Sequence, residues 1–179
     1  YLGGQWQSVL FEFVNNGGGV IGLGFNGGAN PQCNTGSILS SADLMYVNNC
    51  NWNLDSWHDI NVEIEHAVTD GLPDTFEGAY ISEYDTDGTI LVTGETSNAV
   101  VAVNEIGLGK VVYFSSDYFY YNDEMAMLIS NAVQWAGEGS STSNWLTIDT
   151  DCGTIPPGAC QDITVTLDAT DLAGGDYSA

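Results

Sequence analysis

Set against 24 aspartates and glutamates, the 179 residues contain a single lysine or arginine, Lys110. A chain of this kind cannot be held together by salt bridges, because nearly every carboxylate lacks a basic partner. Its fold must rest on apolar burial and on backbone hydrogen bonds. The formal charge of −23 comes more from missing bases than from added acids. Self-repulsion should weaken as salt shortens the Debye length to about 8 Å, which suits a salty habitat or bound divalent cations. The same deficit excludes nucleic acid, whose binding needs lysine and arginine to displace counterions. It also excludes anionic membrane surfaces.

Apolar residues make up 44% of the chain, an ordinary share for a folded core. No apolar run is long enough to cross a bilayer. The chain opens Tyr-Leu-Gly-Gly, with neither a methionine nor a charged-then-apolar leader. Any signal peptide is therefore expected to have been removed or to lie outside this stretch.

The pattern along residues 1–137 alternates between helix and strand. QWQSVLFEFVN (Gln5 to Asn15) places Trp6, Val9, Leu10, Phe13 and Val14 on one predicted helical face. The glycines that follow, Gly17 to Gly19, end that helix. VIGLGF (Val20 to Phe25) reads as a buried strand entering a glycine-rich loop. A loop-rich excursion to Asn53 follows, with a short element near Ile38 to Val47. Strands are expected over Ile60 to Glu65, Gly78 to Glu83, Thr89 to Thr93 and Ala99 to Glu105. KVVYFS (Lys110 to Ser115) is apolar throughout, as in a central parallel strand. Asn122 to Ala136 predicts a helix capped by Asn122 or Asp123, with Met125, Leu128, Ile129, Ala132, Val133 and Trp135 on its apolar side. Residues 138–143 read as a linker. From 144 onward the pattern is period-two alternation with glycine and proline turns, as in a β-sandwich, but with too few strands to close one.

The cysteines fall into two close pairs, 33 with 50 and 152 with 160, and none forms a C-x-x-C. With only His58 and His66 to assist, structural zinc is disfavoured. The spacing favours disulfides Cys33–Cys50 and Cys152–Cys160; four buried free thiols are the alternative.

Three motifs carry a resemblance. FVNNGGGVIGLG (Phe13 to Gly24), EHAVTDGLPDTF (Glu65 to Phe76) and VNEIGLGKVVYFSSDYF (Val103 to Phe119), with the helix after it, resemble the class I glutamine amidotransferase-like fold, particularly its secreted and ThuA-like branches. That resemblance implies an open parallel-sheet, flavodoxin-like α/β domain over 1–137, here lacking its first strands. Residues 144–179 resemble the opening of BACON-type Ig-like domains, through Trp145, Gly153, Gly158, Val165, Leu172, Gly175 and Tyr177. The two together imply a secreted or cell-surface multidomain protein.

In the catalytic members of that fold a nucleophile sits on a strained turn after the glycine run. Here the position falls on Gly24, which has no side chain to attack with, and Cys33 lies too far along the loop to replace it. The expectation is a noncatalytic structural or interaction module whose partners are proteins or neighbouring domains. Glycan binding through Tyr118, Tyr120, Tyr121 or Trp52 is an alternative. A hydrolase using His66 and Asp117 is another, since Asp117 follows the carboxyl end of a predicted strand. His66 replaces no nucleophile and reads first as a packing residue. Asp85 and Asp87 could offer oxygens to Ca²⁺, with a solvated turn as the plainer reading; no other cofactor is expected.

Overall fold

The computed structural model describes residues 5–24, 33, 35–52, 57–116, 122–137, 146–149, 158 and 162–167, with only the backbone of 5, 51, 52 and 146–148. The chain divides into two compact units, Tyr1–Gly139 and Ser140–Ala179.

In the first unit, helix α1 (Gln5–Asn15) leads into strand β1 (Gly19–Leu23). Gly17 turns the chain at φ 106°. The Gly18 amide then bonds the Phe13 carbonyl and the Gly17 amide the Val14 carbonyl, both at 2.9 Å. This paired closure satisfies carbonyls that the helix end would otherwise leave bare. Helix α2 (Thr35–Ser41) precedes β2 (Val47–Trp52), β3 (Trp57–Val62) and β4 (Thr75–Ala79). Strands β5 (Ser82–Thr86), β6 (Thr89–Thr93), β7 (Ala99–Ile106) and β8 (Gly109–Phe114) follow, and helix α3 (Asp123–Gly137) closes the unit. Asn122 accepts the Met125 amide at 2.8 Å, so it is the cap of α3.

One eight-stranded sheet runs β1-β8-β7-β6-β3-β4, with β5 joined to β7 and β2 joined to β5. Only β1 and β8 are parallel; every other described pair in the sheet is antiparallel. The expected open parallel sheet is therefore corrected to a mixed one. Short connections explain the difference. Two residues join β7 to β8 and five join β6 to β7, and such links allow antiparallel neighbours, whereas parallel neighbours need a long crossover. The crossover between the parallel pair is the whole stretch from β1 to β8. The expected strand Gly78 to Glu83 is also divided, because Tyr80 takes φ 48° and separates β4 from β5.

Strand β8 positions the rest. Val111 and Tyr113 enter the core beneath α1 and α2, while Val112 and Phe114 enter the core beneath α3. Both faces of the strand are covered, which is why its sequence is continuously apolar. Helix α1 departs from expectation. Val14 is buried and Leu10 and Phe11 pack inward, but Trp6, Val9 and Phe13 stand exposed.

Two large polar side chains inside this core, Glu83 and Tyr84, find hydrogen-bond partners. Glu83 is 1% exposed and accepts the Thr96 amide at 3.0 Å, the Asn98 amide at 3.3 Å and the Thr96 hydroxyl. The Tyr84 hydroxyl donates to the Tyr113 carbonyl at 3.1 Å.

In the second unit, β9 (Leu146–Ile148) and β10 (Val165–Leu167) form an antiparallel pair. The strand expected at 177–179 and the cysteines 152 and 160 lie outside the described residues.

Cys33 and Cys50 form a disulfide with Cα atoms 5.2 Å apart and a sequence separation of 17. Closing a loop of that size is worth about 3 kcal/mol, chiefly through the unfolded chain. Urea unfolding with and without reductant should differ by about that amount; equal midpoints would show that the crosslink adds nothing.

Candidate functional site

The parallel pair β1/β8 creates the one edge where this architecture would place a reacting group, at the strands' carboxyl ends. Gly24 lies there, buried, its amide bonded to the Phe114 carbonyl at 2.7 Å. Its φ is not positive, so the strained backbone of a nucleophile turn is absent at this residue. Nor is there room for a side chain. A β-carbon on Gly24 would strike the Tyr113 hydroxyl and lie 2.7 Å from the ring carbon Cζ.

Tyr113 fills the place, and its chemistry is quiet. The hydroxyl donates to the Cys33 carbonyl at 3.1 Å. Burial pushes its pKa up to about 12, so it stays protonated and weakly nucleophilic near neutral pH. The neighbouring Thr35 hydroxyl donates to the Leu23 carbonyl at 2.6 Å. Ser115 donates to the Ser82 carbonyl, and the buried Ser82 hydroxyl has no partner.

His66 is elsewhere. Its ring meets the Trp135 ring edge-on, centroids 4.9 Å apart. Lys110 donates to the Trp135 carbonyl at 3.0 Å and lies 4.9 Å from the indole centroid. Because Lys110 is the second residue of β8 and Gly24 adjoins its last, His66 and Gly24 stand at opposite ends of that strand. The Val68 amide donates to His66 Nδ1 at 3.1 Å, and the His66 amide bonds the Thr69 hydroxyl at 3.0 Å. Burial lowers the His66 pKa below its ordinary 6.5, opposed by Glu105 and assisted by Lys110. Protonating Nδ1 would also break the Val68 bond.

The ring borders an open cleft of about 460 Å³ lined by Glu65, His66, Ala67, Asp70, Asn131, Gln134 and Trp135. Asn131 holds the turn in place by donating to the Asp70 carbonyl at 2.9 Å. Sequence reasoning found His66 but not its companions on α3. The polar residues Asn131 and Gln134, flanking buried Ala132 and Trp135, were the available signal.

The remaining candidates do not gather with these. Asp85 accepts from Asn49 at 2.6 Å and Asp87 accepts the Tyr46 amide at 2.7 Å, so both carboxylates tie down β2 and its approach. Among the described residues no cluster of three or more histidine, cysteine or acidic side chains could hold a metal ion. His58 pairs with Glu95 at 3.0 Å near the surface. Asp117, Tyr118, Tyr120 and Tyr121 lie outside the described residues, as does the side chain of Trp52.

A family model described as the lacto-N-biose phosphorylase central domain matches residues 3–141. The chain belongs to that family. No curated protein matches the sequence. Among solved structures, the cytoplasmic protein STM3548 from Salmonella typhimurium is similar at 19% identity and TM-score 0.58, covering 73% of this chain and 59% of that one. β-Galactosidase from Bacillus circulans sp. alkalophilus is similar at 16% identity and TM-score 0.53, covering 75% of this chain and 21% of that one. A protein described as ThuA-like from Bacteroides uniformis is similar at 18% identity and TM-score 0.47, covering 73% and 62%. At such identities the likeness shows the fold alone, a shared mixed α/β arrangement. The central-domain chain spans under two thirds of each of these structures.

Two outcomes test the site. Gly24→Ala should cost about 1–3 kcal/mol in chemical denaturation by forcing Tyr113 aside; an unchanged midpoint would mean the place is open. For His66, a folded pKa below 6.5 means the unfolded chain binds the proton more readily. Its contribution is whole above pH 6.5 and declines as pH falls through that value. A His66→Gln variant should therefore lose less stability than the wild type between about pH 7 and pH 5; parallel curves would contradict the assignment.

Proposed function

We propose that residues 1–137 act as a noncatalytic structural and interaction domain of a secreted or cell-surface, sugar-processing polypeptide. One observation carries the noncatalytic part: Gly24, where the resemblance to amidotransferase-like domains expects the nucleophile, has no room for a side chain beside the buried ring of Tyr113. A residue that packs cannot also attack. The family's name and the β-galactosidase neighbour support the link to sugar chemistry, and the Cys33–Cys50 disulfide supports an oxidising compartment. Among the described residues no helix is long and apolar enough to cross a membrane. The reading needs no cofactor, and its partners are neighbouring domains or other proteins.

Glycan binding is the second reading. The cleft beside His66 favours it, because Glu65, Asp70, Asn131 and Gln134 supply the mix of acceptors and amides that sugar hydroxyls use. It would act alongside, or instead of, Tyr118, Tyr120, Tyr121 and Trp52.

Incubating the 179-residue chain with lacto-N-biose, with and without inorganic phosphate, should release no monosaccharide. Release that disappears in a His66→Ala variant would support the hydrolase alternative with Asp117 and remove the noncatalytic reading. Nuclear magnetic resonance titration with the same sugar separates the remaining two: shifts confined to Asn131, Gln134 and their neighbours mean binding, and an unchanged spectrum leaves the structural role.

A further inference from the structure

His66 lies in the turn between β3 and β4, where its ring takes the place of a backbone acceptor. The Val68 amide meets Nδ1 at 3.1 Å. A backbone N–H can only donate, so Nδ1 holds a lone pair and the ring is the uncharged form with its proton on Nε2. Val68 is 0% exposed, so water has no access to replace that acceptor. The rest of the turn is fastened to the same two residues. The Thr69 amide bonds the His66 carbonyl at 2.8 Å, and the Thr69 hydroxyl takes the His66 amide and donates to the Ile64 carbonyl at 2.9 Å. From α3, Asn131 donates to the carbonyls of Val68 at 3.3 Å and Asp70 at 2.9 Å. A change at Val68 is therefore felt on both sides of the cleft.

Protonation turns this contact from attraction to repulsion. Imidazolium has two N–H donors and no acceptor, so the buried Val68 amide would face another donor. The groups around the ring are unevenly placed. Glu105 on β7 favours the charged ring, while Lys110 on β8 opposes it, as burial does. From α3 come Asn131, Gln134 and Trp135, none of which titrates, and Trp135 already has the Lys110 ammonium 4.9 Å from its centroid. The turn's own Glu65 and Asp70 line the open cleft. A charged ring is thus driven from Val68 and Trp135 toward the cleft, where water and two carboxylates receive it.

We propose that the His66 turn is an acid-operated switch: protonation swings the ring from the Val68 amide into the cleft, loosens residues 66–70 and changes the shape of the cleft. His58, the other histidine, pairs with Glu95 and takes no part. The switch is a property of the turn and holds whether or not a glycan enters the cleft.

Nuclear magnetic resonance of the intact chain between about pH 7.5 and pH 5 tests this, in the window where histidine titrates. At the upper end the His66 ring nitrogens should report the Nε2–H form. As the ring titrates, with a midpoint below 6.5, the Val68 amide should lose ~10-fold or more of its protection from hydrogen exchange. The Asp70 amide and the Asn131 side chain should shift with the same midpoint. His66→Asn supplies the control: its carbonyl oxygen stands where Nδ1 does, accepts from the residue two positions on as in an Asx turn, and does not titrate. Val68 protection in that variant should stay flat. Glu105→Gln should move the midpoint to lower pH. A ring that titrates while Val68 and Asp70 stay as they were overturns the proposal. So does a ring still uncharged at the lower limit, or the same loosening in His66→Asn. Loss of far-ultraviolet circular dichroism over this range also overturns it, because the change must be confined to the turn.

Discussion

Everything in this fold is arranged around a shortage of positive charge. The single lysine is placed where one cation serves two purposes. Lys110 lies near the start of β8, and its ammonium reaches the Trp135 carbonyl at 3.0 Å while lying 4.9 Å from the indole centroid. Helix α3 has no basic residue in its last turn, so a strand supplies the charge that its carbonyl end attracts. The contact also fixes how α3 lies along the sheet, and thereby which residues border the His66 cleft. Elsewhere carboxylates are met without cations. Glu83 takes the amides of Thr96 and Asn98, and Asp87 takes the amide of Tyr46. Backbone N–H groups thus do the work that lysine and arginine do in most proteins.

Much of the fold is legible in the sequence because the strongest signals are local. The apolar run of β8, the asparagine cap of α3 and the glycine stop after α1 each express one physical requirement within a few residues, and each element forms close to its expected bounds. Strand direction was less legible. The resemblance to a parallel-sheet fold outweighed the two-residue link at Gly107-Leu108, although such a link favours a hairpin. The expected single apolar face of α1 failed for another reason. Periodicity shows which residues share a side of a helix, but not how much of that side a neighbour covers.

At the candidate site, the sequence showed that Gly24 lacks a nucleophile but not why a glycine is required. The answer comes from a residue 89 positions away. Tyr113 alternates inward from β8, and its hydroxyl reaches the Cys33 carbonyl through the space a side chain at Gly24 would take. Long-range steric filling leaves no mark at either position alone. An aromatic hydroxyl within KVVYFS was the only hint.

Strand β8 also separates the groups that a reaction would need to combine. At its carboxyl end are Gly24, Tyr113, Ser115 and Ser82, all buried, with hydroxyls that mostly serve backbone carbonyls. At its amino end are Lys110, Trp135 and His66, with the acidic side chains of the cleft. The four steps from Lys110 to Phe114 span about 13 Å at strand rise, far beyond the ~3 Å reach of a proton transfer. An imidazole at one end cannot activate a hydroxyl at the other. The parts of a hydrolytic centre that the described residues hold are therefore kept apart by the element that organises the core.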